Sequence, residues 1–269
     1  MLRRAGGYLA DRGCDSPRLD AEILLADVLG VDRITLYTDH DRPLSASETD
    51  AYRATIARRG AREPVAYITG RRGFRRLDLA VTPAVLVPRP ETELLVEWVV
   101  EVAPNGGRVL DWGTGSGALA LAVADERPDV QVTGIDRSPD ALAVARANDP
   151  AGGVTWAASD GFAALSGERF DVIAANPPYL SEAELAGAPP ELSFEPVGAL
   201  VAGPTGLEAL ESIARGAPAH LAPGGWLVTE VGFAQATRVC ELLSDARLVD
   251  VGSRRDLAGT ERAVGGRRE

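Results

Sequence analysis

VLDWGTGSGA, residues 109–118, is an apolar run followed by three glycines that alternate with small polar residues. Glycines in this position let the chain turn tightly after a strand and open a helix, whose free N–H groups can meet the polar tail of a ligand. The spacing fits the G-x-G-x-x-G/A pattern of dinucleotide sites and fits equally the G-x-G-x-G turn of S-adenosylmethionine enzymes. The stretch therefore predicts a strand, a turn and a helix around a nucleotide-like ligand, with a purely structural turn as the alternative.

Strand and helix patterns alternate on both sides of this turn. The predicted helices span 91–102, 115–125, 139–147, 205–220 and 234–244, and the predicted strands span 108–112, 130–135, 153–158, 170–175 and 225–231, with two more strands in 247–264. Such alternation is typical of an α/β fold with a doubly wound, mostly parallel sheet that helices cover on both faces. Residues 180–203 form a long proline-containing connection, and connections of this length are usually functional.

Residues 1–70 are predicted to form a separate, small helical domain. Ser16-Pro17 has the form of an N-cap followed by proline at the first helical position, and Ser45-Ala46-Ser47-Glu48 has the form of a capping box. The pattern weakens into β-like pieces over residues 71–90, which we interpret as a linker. The α/β domain is then expected to span residues 91–269.

Composition excludes several classes of protein. A chain of 269 residues with 45% hydrophobic content can bury a large core beside a small one. No run reaches the roughly 18 apolar residues that a membrane span needs, and no apolar stretch follows the first arginines, so the expected location is cytoplasmic. The two cysteines and two histidines are too few and too scattered for a disulfide framework or a metal site, so no metal is expected: Cys14, Cys240, His40 and His220.

The charge of −11 is unevenly distributed, and all 28 basic residues are arginine. Residues 1–90 carry 15 arginines and 12 acidic residues, whereas residues 91–269 carry 13 arginines and 27 acidic residues, a net charge of −14. An acidic domain repels a phosphate backbone, so we expect no direct nucleic-acid partner. Eight arginines lie between Arg53 and Arg76. They predict either a solvated helix face or, with Arg58 and Arg62 on one side, a surface that docks a protein partner.

Two aspartates follow predicted strands at positions that suit a nucleoside. Asp136 lies 23 residues after Gly113, at the end of the next strand, where a carboxylate can accept both hydroxyl protons of a ribose. Asp160 follows the third strand and is a candidate for the adenine amino group, with a solvated strand end as the alternative. These residues indicate a nucleoside ligand without distinguishing a dinucleotide from S-adenosylmethionine.

Asn176-Pro177-Pro178-Tyr179 follows the predicted strand 170–175 and favours one of these ligands. The Asn176 side-chain oxygen and the Pro177 carbonyl are two acceptors close together, able to accept both protons of an NH₂ group, while the prolines restrict the backbone. Tyr179 offers a ring on which a flat group can stack. The loop therefore predicts a methyl-acceptor site for an amide or amino nitrogen, with a rigid proline turn as the alternative.

The Asn-Pro-Pro-Tyr motif resembles that of methyltransferases that act on nucleobase amino groups or on protein glutamine. Five further stretches are similar to the release-factor glutamine methyltransferases, the PrmC/HemK family, and extend the resemblance over nearly the whole chain: residues 20–25, 62–70, 88–93, 194–196 and 256–262. Three positions depart from the family pattern: Gly73 replaces an acidic residue, Trp112 an aliphatic one, and Gly161 an aromatic one.

The resemblance implies the class I S-adenosylmethionine-dependent methyltransferase fold and N5-methylation of the glutamine in the Gly-Gly-Gln motif of class I peptide chain release factors. Because a folded protein substrate needs a second contact surface, we also expect residues 1–70 to dock the substrate, and we expect the enzyme to be a monomer. The cofactor residues carried over are Asp111, Gly113, Thr114, Gly115, Ser116, Gly117, Asp136, Asp160, Gly161 and Asn176. The catalytic residues are Asn176, Pro177 and Tyr179, and the substrate-binding residues are Asn176, Pro177, Pro178 and Tyr179.

Two other classes of protein share part of this pattern. A nucleobase amino methyltransferase has the same loop but needs a basic groove, which the acidic residues 91–269 do not predict. A non-catalytic nucleoside-binding module is favoured only by the departures at Trp112 and Gly161. Transfer of methyl to nucleic acid would support the first class, and cofactor binding without turnover would support the second.

Overall fold

The computed structural model describes residues 1–269, and the chain divides into two compact units. The first comprises Met1–Arg71 and Pro189–Phe194, and the second comprises Arg72–Ala188 and Glu195–Glu269. The middle of the long connection therefore belongs to the first unit. None of the helices combines the length and the apolar character that crossing a bilayer requires.

The first unit is helical. Its helices are α1 (Leu2–Ala10), α2 (Pro17–Leu29), α3 (Thr35–Thr38), α4 (Ala46–Gly60) and α5 (Val65–Thr69). The capping box is present, since Glu48 N donates to Ser45 Oγ at 3.2 Å and Ser45 N donates to Glu48 Oε2 at 2.8 Å. Ser16 is the N-cap of α2 but makes no side-chain cap hydrogen bond. The helices pack around buried Leu9, Leu24 and Tyr52.

The second unit contains a seven-stranded sheet. Its helices are α6 (Glu93–Val102), α7 (Ala118–Glu126), α8 (Pro139–Ala147), α9 (Glu182–Ala186), α10 (Val197–Leu200), α11 (Glu208–His220) and α12 (Ala236–Asp245). The strands are β1 (Arg71–Phe74), β2 (Leu77–Ala80), β3 (Arg108–Trp112), β4 (Gln131–Asp136), β5 (Val154–Ala158), β6 (Phe170–Ala175), β7 (Leu180–Ser181), β8 (Val201–Gly203), β9 (Leu221–Glu230), β10 (Leu248–Arg255) and β11 (Glu261–Arg268).

The sheet order is β10-β11-β9-β6-β3-β4-β5. The five strands from β9 to β5 pair in parallel, and β11 pairs antiparallel with both β9 and β10. The predicted α/β class with a mostly parallel sheet is confirmed. Strand order reverses between β3 and β6, and in open α/β sheets ligands bind beside the carboxyl ends of the strands at such a point.

Successive residues of the central strands point to opposite faces of the sheet, so each strand contributes side chains to two apolar clusters. Val109 packs with α6 and α7 on one face, and Leu110 packs with α11 and α12 on the other. Both residues are fully buried, as a parallel sheet covered on both faces requires.

Two helices begin later than the sequence predicts, because the residues before them form turns. Helix α7 begins at Ala118 rather than at residue 115, because residues 113–117 form the turn. Residues 90–92 form a 3₁₀ turn before α6, so the predicted helix 91–102 begins at Glu93. Residues 71–90 contain the two-stranded sheet of β1 and β2.

Candidate active site

A cavity of about 740 Å³ lies within the second unit, beside the carboxyl ends of β3, β4 and β6. It brings together most of the residues predicted from the sequence. Those that line it are Asp111, Gly113, Thr114, Gly115, Ser116, Asp136, Asp160, Gly161, Asn176, Pro177 and Pro178. Gly117 and Tyr179 do not line it.

The glycine turn after β3 forms one wall. Gly113, Gly115 and Gly117 have φ values of 74°, 56° and 83°, in the region that favours glycine. A Cβ at Gly113 or Gly115 would meet no atom within 4 Å, so both leave open space beside the cavity. A Cβ at Gly117 would come within 2.9 Å of the Trp156 ring, so this glycine permits close packing instead of facing a ligand.

Asp111 lies under the turn and is only 2% exposed. Thr114 Oγ1 donates to its Oδ2 at 2.5 Å, and Ala120 N donates to the same oxygen at 3.2 Å. Burial raises the pKa of Asp111 to about 7, although these two hydrogen bonds oppose the shift. Because both donors bind Oδ2, Oδ1 remains available to a cationic group.

Asp136 ends β4, and its carboxylate is held by backbone N–H groups. Gly115 N donates to Oδ2 and Ser138 N donates to Oδ1, both at 2.9 Å. Each oxygen keeps a further lone pair for a ligand hydroxyl. Asp160 is exposed on the cavity wall, and Gly161 follows it with a φ of 58°.

Two buried polar atoms without hydrogen-bond partners belong to residues that line the cavity. They are Trp112 Nε1, a donor, and Glu208 Oε2, an acceptor. The Trp112 and Phe162 rings lie at a centroid distance of 6.4 Å with an interplanar angle of 45°. Phe162 and Trp112 thus supply aromatic surface although residue 161 is glycine. These residues offer the aromatic surface and the polar atoms that suit a flat, polar-edged ring such as adenine.

Asn176 follows β6 and belongs to a hydrogen-bonded chain that sequence reasoning missed. Asn176 Nδ2 donates to Thr92 Oγ1 at 2.9 Å, and Thr92 Oγ1 donates to Glu230 Oε2 at 2.7 Å. Thr92 and Glu230 are buried, and burial raises the pKa of Glu230 to about 7. Asn176 Oδ1 accepts no hydrogen bond from the protein. The only signal for Thr92 in the sequence is its place in the stretch 88–93. The only signal for Glu230 is that it is a polar residue at the end of an apolar strand.

Tyr179 lies apart from the cavity wall. Its backbone carbonyl accepts from Gln235 Nε2 at 3.0 Å, and its ring lies beside Gly232, where a Cβ would come within 3.1 Å of Cδ2. Burial raises the pKa of its hydroxyl to about 12, and the negative charge of Glu230 adds to the shift. Stacking of Tyr179 on a flat substrate group stays a prediction.

Two of the motif stretches meet in one ion pair. Arg89 donates to Glu195 Oε1 at 2.5 Å, and Val87 N donates to Glu195 Oε2 at 3.1 Å. Glu195 is 4% exposed and Arg89 is half-buried, and their ion pair anchors the segment before α6 to the end of the long connection. Arg89 itself lines the cavity.

Arg58, Arg59 and Arg62 of the first unit are all ion-paired. Arg58 bonds Glu63 through two hydrogen bonds of 2.8 and 2.5 Å, and Arg62 bonds both oxygens of Glu191 at 2.7 Å. Arg59 is buried between Asp20 and Glu191. Arg58 and Arg62 are therefore paired with carboxylates of the same chain, and their role as a docking surface for a protein partner stays a prediction.

The sequence matches two family models, the PrmC N-terminal domain over residues 1–70 and the Methyltransferase small domain over residues 90–188. The release factor glutamine methyltransferase of Geobacter sulfurreducens is 43% identical over 264 residues, which cover 97% of this chain and 93% of that protein. That of Burkholderia pseudomallei is 48% identical over 260 residues, which cover 93% and 91%. A solved methyltransferase structure from Pyrococcus furiosus shares the fold, with a TM-score of 0.54 at 20% identity, covering 71% of this chain and 89% of that one.

Proposed function

Since the chain belongs to the family of release factor glutamine methyltransferases, we propose that it methylates the side-chain amide nitrogen, N5, of the glutamine in the Gly-Gly-Gln motif of class I peptide chain release factors. The methyl donor is S-adenosylmethionine. One observation supports this assignment most directly. Asn176 lines the cavity at the end of β6, on the strand next to the glycine turn, with its Oδ1 oxygen free to accept a proton of a substrate amide.

The cavity residues fit this donor in chemical kind. Gly113 and Gly115 leave room for the backbone to approach it, Asp111 Oδ1 is available to its ammonium group, and Asp136 is available to the ribose hydroxyls. Bound S-adenosylmethionine supplies a methyl group that its sulfonium makes electrophilic. The protein therefore has to position the acceptor nitrogen and stabilise the charge that develops on it.

Asn176 and Pro177 perform this task in our proposal. An amide nitrogen is a weak nucleophile because its lone pair is delocalised, so orientation is the main requirement, and correct alignment is worth several kcal/mol, on the order of 7. The Asn176 Oδ1 and the Pro177 carbonyl accept the two N–H protons of the glutamine. These hydrogen bonds strengthen as positive charge develops on nitrogen, so they stabilise the transition state more than the ground state.

No general base is needed before attack, because the alkylated amide is far more acidic and releases its proton to water afterwards. The buried carboxylates near the site are already bonded: Asp111 to Thr114, and Glu230 to Thr92. Neither is required to remove a proton from the substrate.

The test is mass spectrometry of a class I release factor after incubation with the enzyme and S-adenosylmethionine. We expect one added methyl group on the peptide that carries the Gly-Gly-Gln glutamine. A methyl group on DNA or RNA and none on release factor would instead assign the protein to the nucleobase methyltransferases, against the net charge of −14 on residues 91–269.

We further propose that residues 1–70 dock the release factor and that the enzyme acts as a cytoplasmic monomer. The match of this region to the PrmC N-terminal domain supports a role specific to the family. A short Gly-Gly-Gln peptide cannot reach a second surface, so the ratio of its kcat/KM to that of intact factor measures docking. Equal values for the two substrates would contradict the docking role.

A further inference from the structure

Three elements of the second unit meet behind Asn176. Thr92 ends the 3₁₀ turn before α6, Glu230 ends β9, and Asn176 follows β6. Their side chains form one continuous chain of hydrogen bonds, 2.9 Å from Asn176 to Thr92 and 2.7 Å from Thr92 to Glu230. Thr92 is 5% exposed and Glu230 is 1% exposed, so water does not compete for these bonds.

The number of protons in this series of hydrogen bonds determines the orientation of the Asn176 amide. A threonine hydroxyl has one proton, and an ionised carboxylate can only accept. Once the Thr92 proton is donated to Glu230, Thr92 Oγ1 can only accept a hydrogen bond from residue 176. Only Nδ2 of Asn176 carries protons, so Nδ2 faces Thr92 and Oδ1 faces the cavity.

We propose that Thr92 and Glu230 are positioning residues that, when Glu230 is ionised, hold the Asn176 amide with Oδ1 toward the substrate nitrogen. The proposal rests on the function proposed above. An amide rotated by half a turn would place Oδ1 against Thr92 Oγ1 with no proton between the two oxygens, and would lose the hydrogen bond. It would also present Nδ2–H to the N–H of the substrate, where an acceptor is required.

Protonation of Glu230 removes this restriction on the orientation of the Asn176 amide. A protonated carboxyl donates its own O–H to Thr92 Oγ1, so the threonine proton becomes free to donate to Asn176 Oδ1. Both orientations of the amide then have a hydrogen bond to Thr92, so a fraction of the molecules has Nδ2 facing the cavity. The proton comes from solvent water and remains on a Glu230 oxygen, and no covalent bond other than this O–H changes.

The surroundings of Glu230 place its titration within an accessible pH range. Burial is the largest influence and raises its pKa to about 7, while the Thr92 hydrogen bond and the positive charge of Arg262 oppose the shift. The negative charge of Glu91 raises it further, and the hydroxyl of Tyr179 lowers it. These four residues are the polar and charged groups with the largest influence on the pKa of Glu230.

Two substitutions of Thr92 separate orientation from packing. Thr92→Val keeps the shape and removes the hydroxyl, so we expect kcat to fall about 10²-fold, as for the loss of one oriented polar partner, with an unchanged KM for S-adenosylmethionine. Thr92→Ser keeps the hydroxyl and is expected to restore most of the turnover. Thr229→Val is the matched control, because Thr229 is a buried threonine next to Glu230 whose hydroxyl bonds only a backbone carbonyl.

The pH profile tests the role of Glu230 separately. The parent kcat is expected to fall as pH decreases through about 7, whereas Glu230→Gln cannot titrate and is expected to lose this step. Persistence of the step in Glu230→Gln would assign it to Asp111, whose pKa burial also raises to about 7, and would overturn the proposed role of Glu230 ionisation.

A readout without methyl transfer distinguishes this proposal from the proposed function. The side-chain NH₂ resonance of Asn176 is identified in ¹H–¹⁵N spectra by its loss in Asn176→Ala. We expect it to shift with pH in the parent near the Glu230 titration and to remain constant in Thr92→Val. A resonance that shifts neither with pH in the parent nor between the parent and Thr92→Val would overturn the positioning role, even if release factor is methylated. A resonance that responds as expected in a protein that does not methylate release factor would contradict the proposed function alone.

Discussion

Arg62 and Glu191 lie 129 positions apart in the chain, yet the Arg62 guanidinium bonds both carboxylate oxygens of Glu191 at 2.7 Å. Arg59 Nη1 donates to the same carboxylate at 2.9 Å. All three residues belong to the first unit, which includes residues 189–194 of the long connection. These bonds therefore hold that segment against the N-terminal helices.

The first prediction concerns the stability that this pairing provides. Glu191→Ala removes a partner from two guanidinium groups, one of them buried, so we expect the free energy of unfolding to fall by about 1–3 kcal/mol at neutral pH. Urea denaturation measures the change. Glu182→Gln is the control, because Glu182 is exposed on the same connection and is in no ion pair.

The pH dependence of this stabilisation follows from the direction in which the pKa of Glu191 is shifted. Burial raises the pKa of Glu191, but hydrogen bonds from Arg62 and Arg59 outweigh it and lower the pKa below its usual 4.5. The stabilisation is therefore present above that value and is lost as pH falls through the lowered pKa. If parent and Glu191→Ala differ equally at neutral and at strongly acidic pH, the ion pair is not the source of the difference.

The second prediction concerns Asn176. Removal of its amide in Asn176→Ala is expected to lower turnover by roughly 10²–10³-fold, the usual effect of losing one oriented polar partner of the transition state. Cofactor affinity is expected to change little. Single-turnover methylation of release factor measures the first quantity and calorimetry the second. Near-parental turnover would exclude Asn176 from the mechanism.

The third prediction concerns Asp136. Asp136→Ala removes two candidate charge-assisted hydrogen bonds to the ribose and the support of two backbone N–H groups. Because one such bond contributes about 1.5–3 kcal/mol, we expect cofactor affinity to fall by about 10-fold or more. Calorimetric titration with S-adenosylmethionine is the measurement, with exposed Asp140→Asn as control. Equal affinities for parent and Asp136→Ala would refute the ribose assignment.

The fourth prediction concerns buried Asp111. Its folded pKa of about 7 lies above the ordinary value of 3.8, so the folded state binds more protons than the unfolded state between these values. Folding stability contributed by this group therefore decreases as pH rises through that interval. Asp111→Asn cannot ionise, so the stability of the variant relative to the parent is expected to increase between about pH 5 and about pH 8. Urea unfolding at both pH values checks the sign, and a constant difference would contradict the raised pKa.

Much of the fold was predictable because its signals are local. Periodicity identified the central strands, and the predicted span 170–175 agrees with β6, Phe170–Ala175. The start of α7 was less predictable, because Gly115 and Gly117 fit a helix pattern in sequence but adopt left-handed φ angles in the turn. The resemblance to release-factor glutamine methyltransferases is confirmed by relatives similar over nearly the whole chain.

The candidate site was predictable only in part. The glycine turn, Asp136 and Asn176 are each recognised by a motif that follows a strand, and parallel strands bring their carboxyl ends to one edge of the sheet. Tyr179 shares the motif of Asn176 but lies off the cavity wall, because the backbone leaves the wall after Pro178. The roles assigned to these residues from the sequence remain predictions for the experiments above.

The sequence by itself determined the α/β class, the two motifs and the chemistry they favour, because each depends on residues a few positions apart. Only the tertiary structure decided which polar groups meet across the chain. Thr92 bonds Asn176 across 84 positions and Glu230 across 138, and no periodicity or motif records such a pairing. The physical reason is that buried polar groups must find hydrogen-bond partners, and the fold determines which partners lie within reach.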